Sequence, residues 1–133
     1  MKPLMQVSLF ARDLEGLSGF YRDLFDLPEV TSLRSPIFRG YMAGEVMIGF
    51  SAFDAYGMLA LDERKEGDGD QTALTMQLAT QDEVGALHDR AVAAGARSLK
   101  EPFDTYYGWR MAVIRDPEGN AIRLAHAGTP PSA

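Results

Sequence analysis

Ala73-Leu74-Thr75-Met76-Gln77-Leu78-Ala79-Thr80-Gln81-Asp82-Glu83 opens the second half of this chain and runs from a strand straight into the start of a helix. Ala73 to Ala79 reads as a strand, with Ala73, Thr75 and Gln77 on one face by alternation. Thr80 followed three residues later by Glu83 is a capping box, which satisfies two backbone N–H groups at a helix start. Val84, Leu87, Ala91 and Val92 mark one face of that helix, and Gly95 stops it as a left-handed cap. Short strands are expected near Arg97–Leu99, Trp109–Arg115 and Asn120–His126. Asp116-Pro117-Glu118-Gly119-Asn120 joins the last two as a type I turn followed by a left-handed residue. Ala127 to Ala133 reads as a frayed tail.

The first half repeats that order. Leu4 to Ala11 is a strand, Asp13 an N-cap, and Leu14, Leu17, Phe20, Tyr21, Leu24 and Phe25 recur at helical spacing before Pro28. Strands are expected over Glu29–Leu33, Ile37–Met42 and Val46–Ser51, punctuated by Ser35-Pro36 and Ala43-Gly44. Residues 54–70 read as a solvated linker; the acidic run Asp62 to Asp70 lacks EF-hand spacing. The expectation is therefore an α+β fold in one domain, residues 1–133. It has two βαβββ modules, about 4–53 and 71–126, with the linker between them and the tail at 127–133. Each half alone leaves a sheet face uncovered, so two halves are expected to curl into an eight-stranded cup of mixed sheet with helices outside.

Composition narrows the function. The 133 residues suffice for one compact domain with a full core. A net charge of −6 and a pI near 4.8 argue against nucleic acid or an anionic membrane as partner. Without cysteine there is no disulfide, thiolate nucleophile or thiolate metal site. No signal segment or membrane-length apolar run is present, so a soluble, cytoplasmic protein is expected.

Val7-Ser8-Leu9-Phe10-Ala11-Arg12-Asp13-Leu14-Glu15, with Phe20-Tyr21-Arg22-Asp23-Leu24-Phe25, resembles the first module of vicinal-oxygen-chelate proteins, the glyoxalase, bleomycin-resistance and dioxygenase type. Leu87 to Ala96 is similar to their second helix and its Gly stop, and Arg115-Asp116-Pro117-Glu118-Gly119-Asn120-Ala121-Ile122-Arg123-Leu124 to their closing hairpin. The resemblance covers about residues 6–126. It implies the cup fold, homodimers, and either sequestration of a small molecule or lyase, isomerase, epimerase or dioxygenase chemistry on a divalent cation. The ligand positions it implies fall on Gln6, near Gly49, on or beside Ala73, and on Arg123. A neutral amide, two residues without donor groups and a permanent cation do not make a divalent-metal site. His88 is expected on the solvent side of its helix, and His126 has the opposite strand parity to Arg123.

Alternation and the resemblance together give the expected lining: Gln6, Ser8, Phe10, Met47, Thr75, Gln77, Met111, Val113 and Arg123, with Tyr106, Tyr107 and Trp109 at a strand entrance. That mixture is apolar and aromatic with a few polar groups, the make-up of a small-molecule pocket. Arg123 either meets a ligand carboxylate or phosphate, pairs with a carboxylate of the protein, or snorkels to the rim. The aromatics serve as pocket wall or dimer contact. The reading is a metal-independent protein, with no cofactor, that binds an aromatic or anionic organic molecule. The alternative is a divalent-metal-dependent glyoxalase-like lyase, isomerase or dioxygenase.

Overall fold

Two sheets carry the fold, and each packs one face against a helix. The computed structural model describes residues 1–133, which divide into two compact units, Met1–Asp68 and Gly69–Ala133.

The first unit contains β1 (Gln6–Ala11), α1 (Leu14–Phe25), β2 (Phe38–Ala43), β3 (Val46–Ala52) and α2 (Asp54–Met58). Its sheet runs β1-β3-β2, with β1 parallel and β2 antiparallel to β3. Parallel neighbours need a crossover, and α1 lies within it. The Asp13 side chain starts α1 by accepting the Gly16 N–H at 3.0 Å. Asp26, at φ 53°, ends it in the left-handed region. Tyr21, Tyr41 and Phe50 are fully enclosed, with ring centroids 5.0 Å apart for Tyr21–Phe50 and 6.1 Å for Tyr41–Phe50.

The expected strand at Glu29–Leu33 does not form. Glu29 makes a single bridge to Tyr41, and Thr31–Leu33 wind into a 3-10 turn. The chain must already reverse around Pro36, where Ser35 bridges Phe38, so i→i+3 bonds replace the ladder. The structure therefore has seven strands, three in one sheet and four in the other, where eight were expected. The expected linker is also partly structured. Residues 59–70 are exposed, but α2 buries Ala55 and Tyr56.

The second unit contains β4 (Ala73–Gln77), α3 (Gln81–Ala93), β5 (Arg97–Asp104), β6 (Arg110–Arg115) and β7 (Ala121–His126), in sheet order β4-β7-β6-β5. β4 is parallel to β7; the other pairs are antiparallel. The capping box forms: Thr80 Oγ1 accepts from Glu83 N at 3.2 Å, and Glu83 Oε2 accepts from Ala79 N at 2.9 Å. Gly95 follows the helix at φ 107°, and Ala96 N donates to Ala91 O at 2.9 Å. Val84, Leu87 and Ala91 pack toward Ala112, Ile114, Ile122 and Leu124 to make the core. β5 runs well past Leu99 and carries two irregularities of register. Pro102 is tolerated there because β5 is an edge strand.

His88 is buried, not on the solvent side. Its ring nitrogens lie 2.7 Å from Ser98 Oγ and 3.0 Å from Asp89 Oδ1. Spaced four residues after Val84 and three before Ala91, it joins the covered stripe of α3. No helix is long and apolar enough to cross a membrane.

The β6–β7 turn is held by Asp116, which is 3% exposed. Its carboxylate accepts from Glu118 N at 2.8 Å, Asn120 N at 3.0 Å and Asn120 Nδ2 at 2.8 Å, while Gly119 takes φ 92°. Asp116→Ala strands these donors, and urea unfolding is expected to show a loss of about 2–3 kcal/mol. A loss below about 0.5 kcal/mol would show that the turn does not depend on this carboxylate.

Candidate functional site

Each sheet has a helix side and an open side. In the first unit, pairing places Gln6, Ser8 and Phe10 beside Met47, Gly49 and Ser51, and these beside Phe38, Gly40 and Met42. The Gln6 amide donates to Ser8 Oγ at 2.9 Å. Gly40 and Gly49 face each other across β2 and β3. A Cβ on Gly49 would overlap the Gln6 amide and stand 2.9 Å from the Phe38 ring; one on Gly40 would stand 2.7 Å from Met47 Sδ. The glycine pair is thus a flat floor over which Phe38 lies. Phe10 is partly covered by Tyr56, with ring centroids 3.9 Å apart and planes at 16°. Met47 and Ser51 are each 8% exposed, so Gln6, Ser8 and Phe10 are the expected residues of this face that reach its surface. Phe38 and Tyr56 were missed. Extending β2 alternation back from Met42 and Gly40 points to Phe38; nothing local in the sequence points to Tyr56.

In the second unit the open side is ordered in rows across β4-β7-β6-β5. Ala73, Ala121, Arg115 and Arg97 form one row; Thr75, Arg123, Val113 and Lys100 the next; Gln77, Ala125, Met111 and Phe103 the third. Met111 is 3% exposed and Ala125 is fully enclosed, so the accessible part of this face is its first two rows with Gln77 and Phe103 at the two ends of the third. Beyond the third row comes the β5–β6 loop. Thr105 N donates to Trp109 O at 2.8 Å, Trp109 N donates to Thr105 Oγ1 at 2.9 Å, and Gly108 takes φ 88°. Rings meet edge to face from Tyr106 to Tyr107 at 4.9 Å and from Tyr107 to Trp109 at 5.1 Å, with Tyr106 fully exposed.

Arg123 is half-buried, and its Nε donates to Thr75 Oγ1 at 2.8 Å. It makes no ion pair with a protein carboxylate, and that hydrogen bond leaves its terminal nitrogens available. Arg115, one row away, is treated differently. It grips Asp70 through two bonds of 2.6 and 2.7 Å and donates to Gly119 O at 2.9 Å. The hydrogen bonds to Asp70 raise its pKa further.

The residues present do not fit a divalent metal. No group of three His, Cys, Asp or Glu side chains could hold one. His88 is engaged by Ser98, and His126 Nδ1 lies 2.9 Å from Leu78 O, on the helix side of β7. Among the positions implied by resemblance, Gly49 and Ala73 offer no donor and Arg123 is a permanent cation.

The family model described as "Glyoxalase/Bleomycin resistance protein/Dioxygenase superfamily" matches residues 4–124. No curated protein matches the sequence. A glyoxalase/bleomycin resistance protein/dioxygenase family enzyme from Burkholderia phytofirmans PsJN is 40% identical with a TM-score of 0.88, covering 94% of this chain and 98% of that one. A glyoxalase-related enzyme from Fulvimarina pelagi is 21% identical with a TM-score of 0.86, covering 100% and 94%. A lactoylglutathione lyase from Agrobacterium tumefaciens is 21% identical with a TM-score of 0.70, covering 96% and 95%. These last two show a shared fold.

Gly49→Ala is expected to push the Gln6 amide off Ser8 and move the Phe38 ring, at a cost of about 1–3 kcal/mol. The check is the chemical shifts of the Phe38 ring together with a denaturant melt. Unchanged ring shifts with unchanged stability would mean the floor is less tightly filled than described.

Proposed function

This chain belongs to the glyoxalase/bleomycin resistance protein/dioxygenase superfamily, and from that premise we propose that it is a metal-independent small-molecule-binding protein whose ligand is an organic anion held on the open face of β4-β7-β6-β5. One observation carries this reading. Arg123 stands at the middle of that face beside Val113, fixed by Thr75, without a carboxylate partner. Half-burying a guanidinium without a counter-charge is costly, and a bound carboxylate or phosphate offsets that cost. The bond from Nε holds the planar fork in place, so less side-chain freedom is lost when an anion docks. The open face of the first sheet offers neutral groups, Gln6, Ser8 and Phe38, so anion recognition is assigned to the second sheet. The tyrosines and Trp109 at the rim suit an aromatic or apolar body.

The absence of a fitting donor set supports metal independence over the metal-dependent enzyme alternative. Benzoate is a suitable probe, read by amide chemical shifts or by fluorescence of Trp109, the single tryptophan. Arg123→Met is expected to weaken benzoate about tenfold or more, the worth of a charge-assisted hydrogen bond. Benzylamine is expected not to bind. Unaltered benzoate affinity in Arg123→Met would overturn the reading. Loss of benzoate binding on adding a chelator, restored by a divalent cation, would instead favour the metal-dependent alternative.

A further inference from the structure

Lys100 is the second cation of the row that holds Arg123. In the pairing register Val113 lies between them, opposite Arg123 on β7 and opposite Lys100 on β5. Strand spacing sets the two cationic backbones about 10 Å apart. Valine is short, so the strip between them is open: Arg123 is turned to Thr75 on one side of it and Lys100 to Phe103 on the other. The Lys100 ammonium sits 3.9 Å from the centroid of the Phe103 ring, a contact that orients it without neutralising it. Like Arg123, Lys100 makes no ion pair with a carboxylate. Arg97 adds a third cation without one, in the neighbouring row. The carboxylate that reaches this face, Asp70, is held by both terminal nitrogens of Arg115. A chain of net charge −6 therefore places two uncompensated cations on either side of one small apolar residue, with a third in the next row.

Resting on the reading just given, we propose that the natural ligand is a dianion whose two negative charges reach Arg123 and Lys100 on either side of Val113. A single carboxylate satisfies the fork of Arg123 and leaves Lys100 unmatched. A second charge completes the row, and a phosphate monoester or a pair of carboxylates supplies it. The negative field of the remaining surface does not favour anions, so the gain from the second charge arises at the row itself.

The test compares three aromatic probes at about pH 8, where a phosphate monoester is doubly ionised because its second pKa is about 6: benzoate, isophthalate and phenyl phosphate. At least one dianion is expected to bind about tenfold more tightly than benzoate. Lys100→Met, at an exposed site, is expected to remove that advantage while changing benzoate less than about twofold. A gain for isophthalate alone identifies a dicarboxylate, and a gain for phenyl phosphate alone a phosphate monoester. Equal affinities for all three probes, or a dianion affinity untouched in Lys100→Met, would overturn the dianion inference and leave the Arg123 reading standing. Undiminished binding of all three in Arg123→Met would overturn that reading itself.

Discussion

One long helix can cover only one face of a sheet, and each unit of this protein has one long helix. The parallel pairs β1–β3 and β4–β7 force the chain to cross over, and that crossover carries α1 or α3 onto one side. Alternation along the strands then sorts the residues. Leu9, Ala11, Ile48 and Phe50 go to the helix in the first unit, and Ile114, Ile122 and Leu124 in the second. Their neighbours at the opposite parity have no long helix to meet (the short α2 covers Phe10 through Tyr56), so polar residues such as Gln6, Ser8, Thr75 and Arg123 can stand there. Core and candidate site are thus two faces of the same strands, and a shift of one residue in register would exchange them.

The arginines of the two sheets are treated in two ways. Arg39 is 9% exposed on the helix side of β2, and it is tied to Glu15 at 3.0 Å and to two backbone carbonyls. Arg115 is clamped by Asp70 and Gly119. Where this fold uses a partly buried cation as a strut, it supplies the counter-charge from its own chain. Arg123 receives a neutral hydroxyl. A hydroxyl satisfies one N–H and orients the group, but it does not neutralise the charge.

Much of this was legible in the sequence because it depends on local chemistry. Asp13, the Thr80–Glu83 box, Gly95 and the Asp116–Asn120 turn each act within a few residues, and all four form as read. The register of Arg123 followed from that last turn. What escaped depends on neighbours distant in sequence. β5 extends through Pro102 because it lies at an edge. Tyr56 is buried because a ring from β1 meets it, although it sits beside an exposed, charged run. Phe38 matters because two glycines on adjacent strands leave room for it. His88 reads as polar yet is buried, since Ser98 on β5 supplies its partner.

The division of charge between the two sheets completes the physical picture. The first sheet's open face is neutral, with an amide, two hydroxyls and an aromatic ring over a glycine floor. The second concentrates cations in adjacent rows, in a chain whose total charge is −6. Each unneutralised cation destabilises its neighbours in the empty protein, by an amount that solvent and salt reduce but do not abolish. On the reading proposed above, a bound anion relieves that repulsion, and the ligand's charge counts for more than its apolar body.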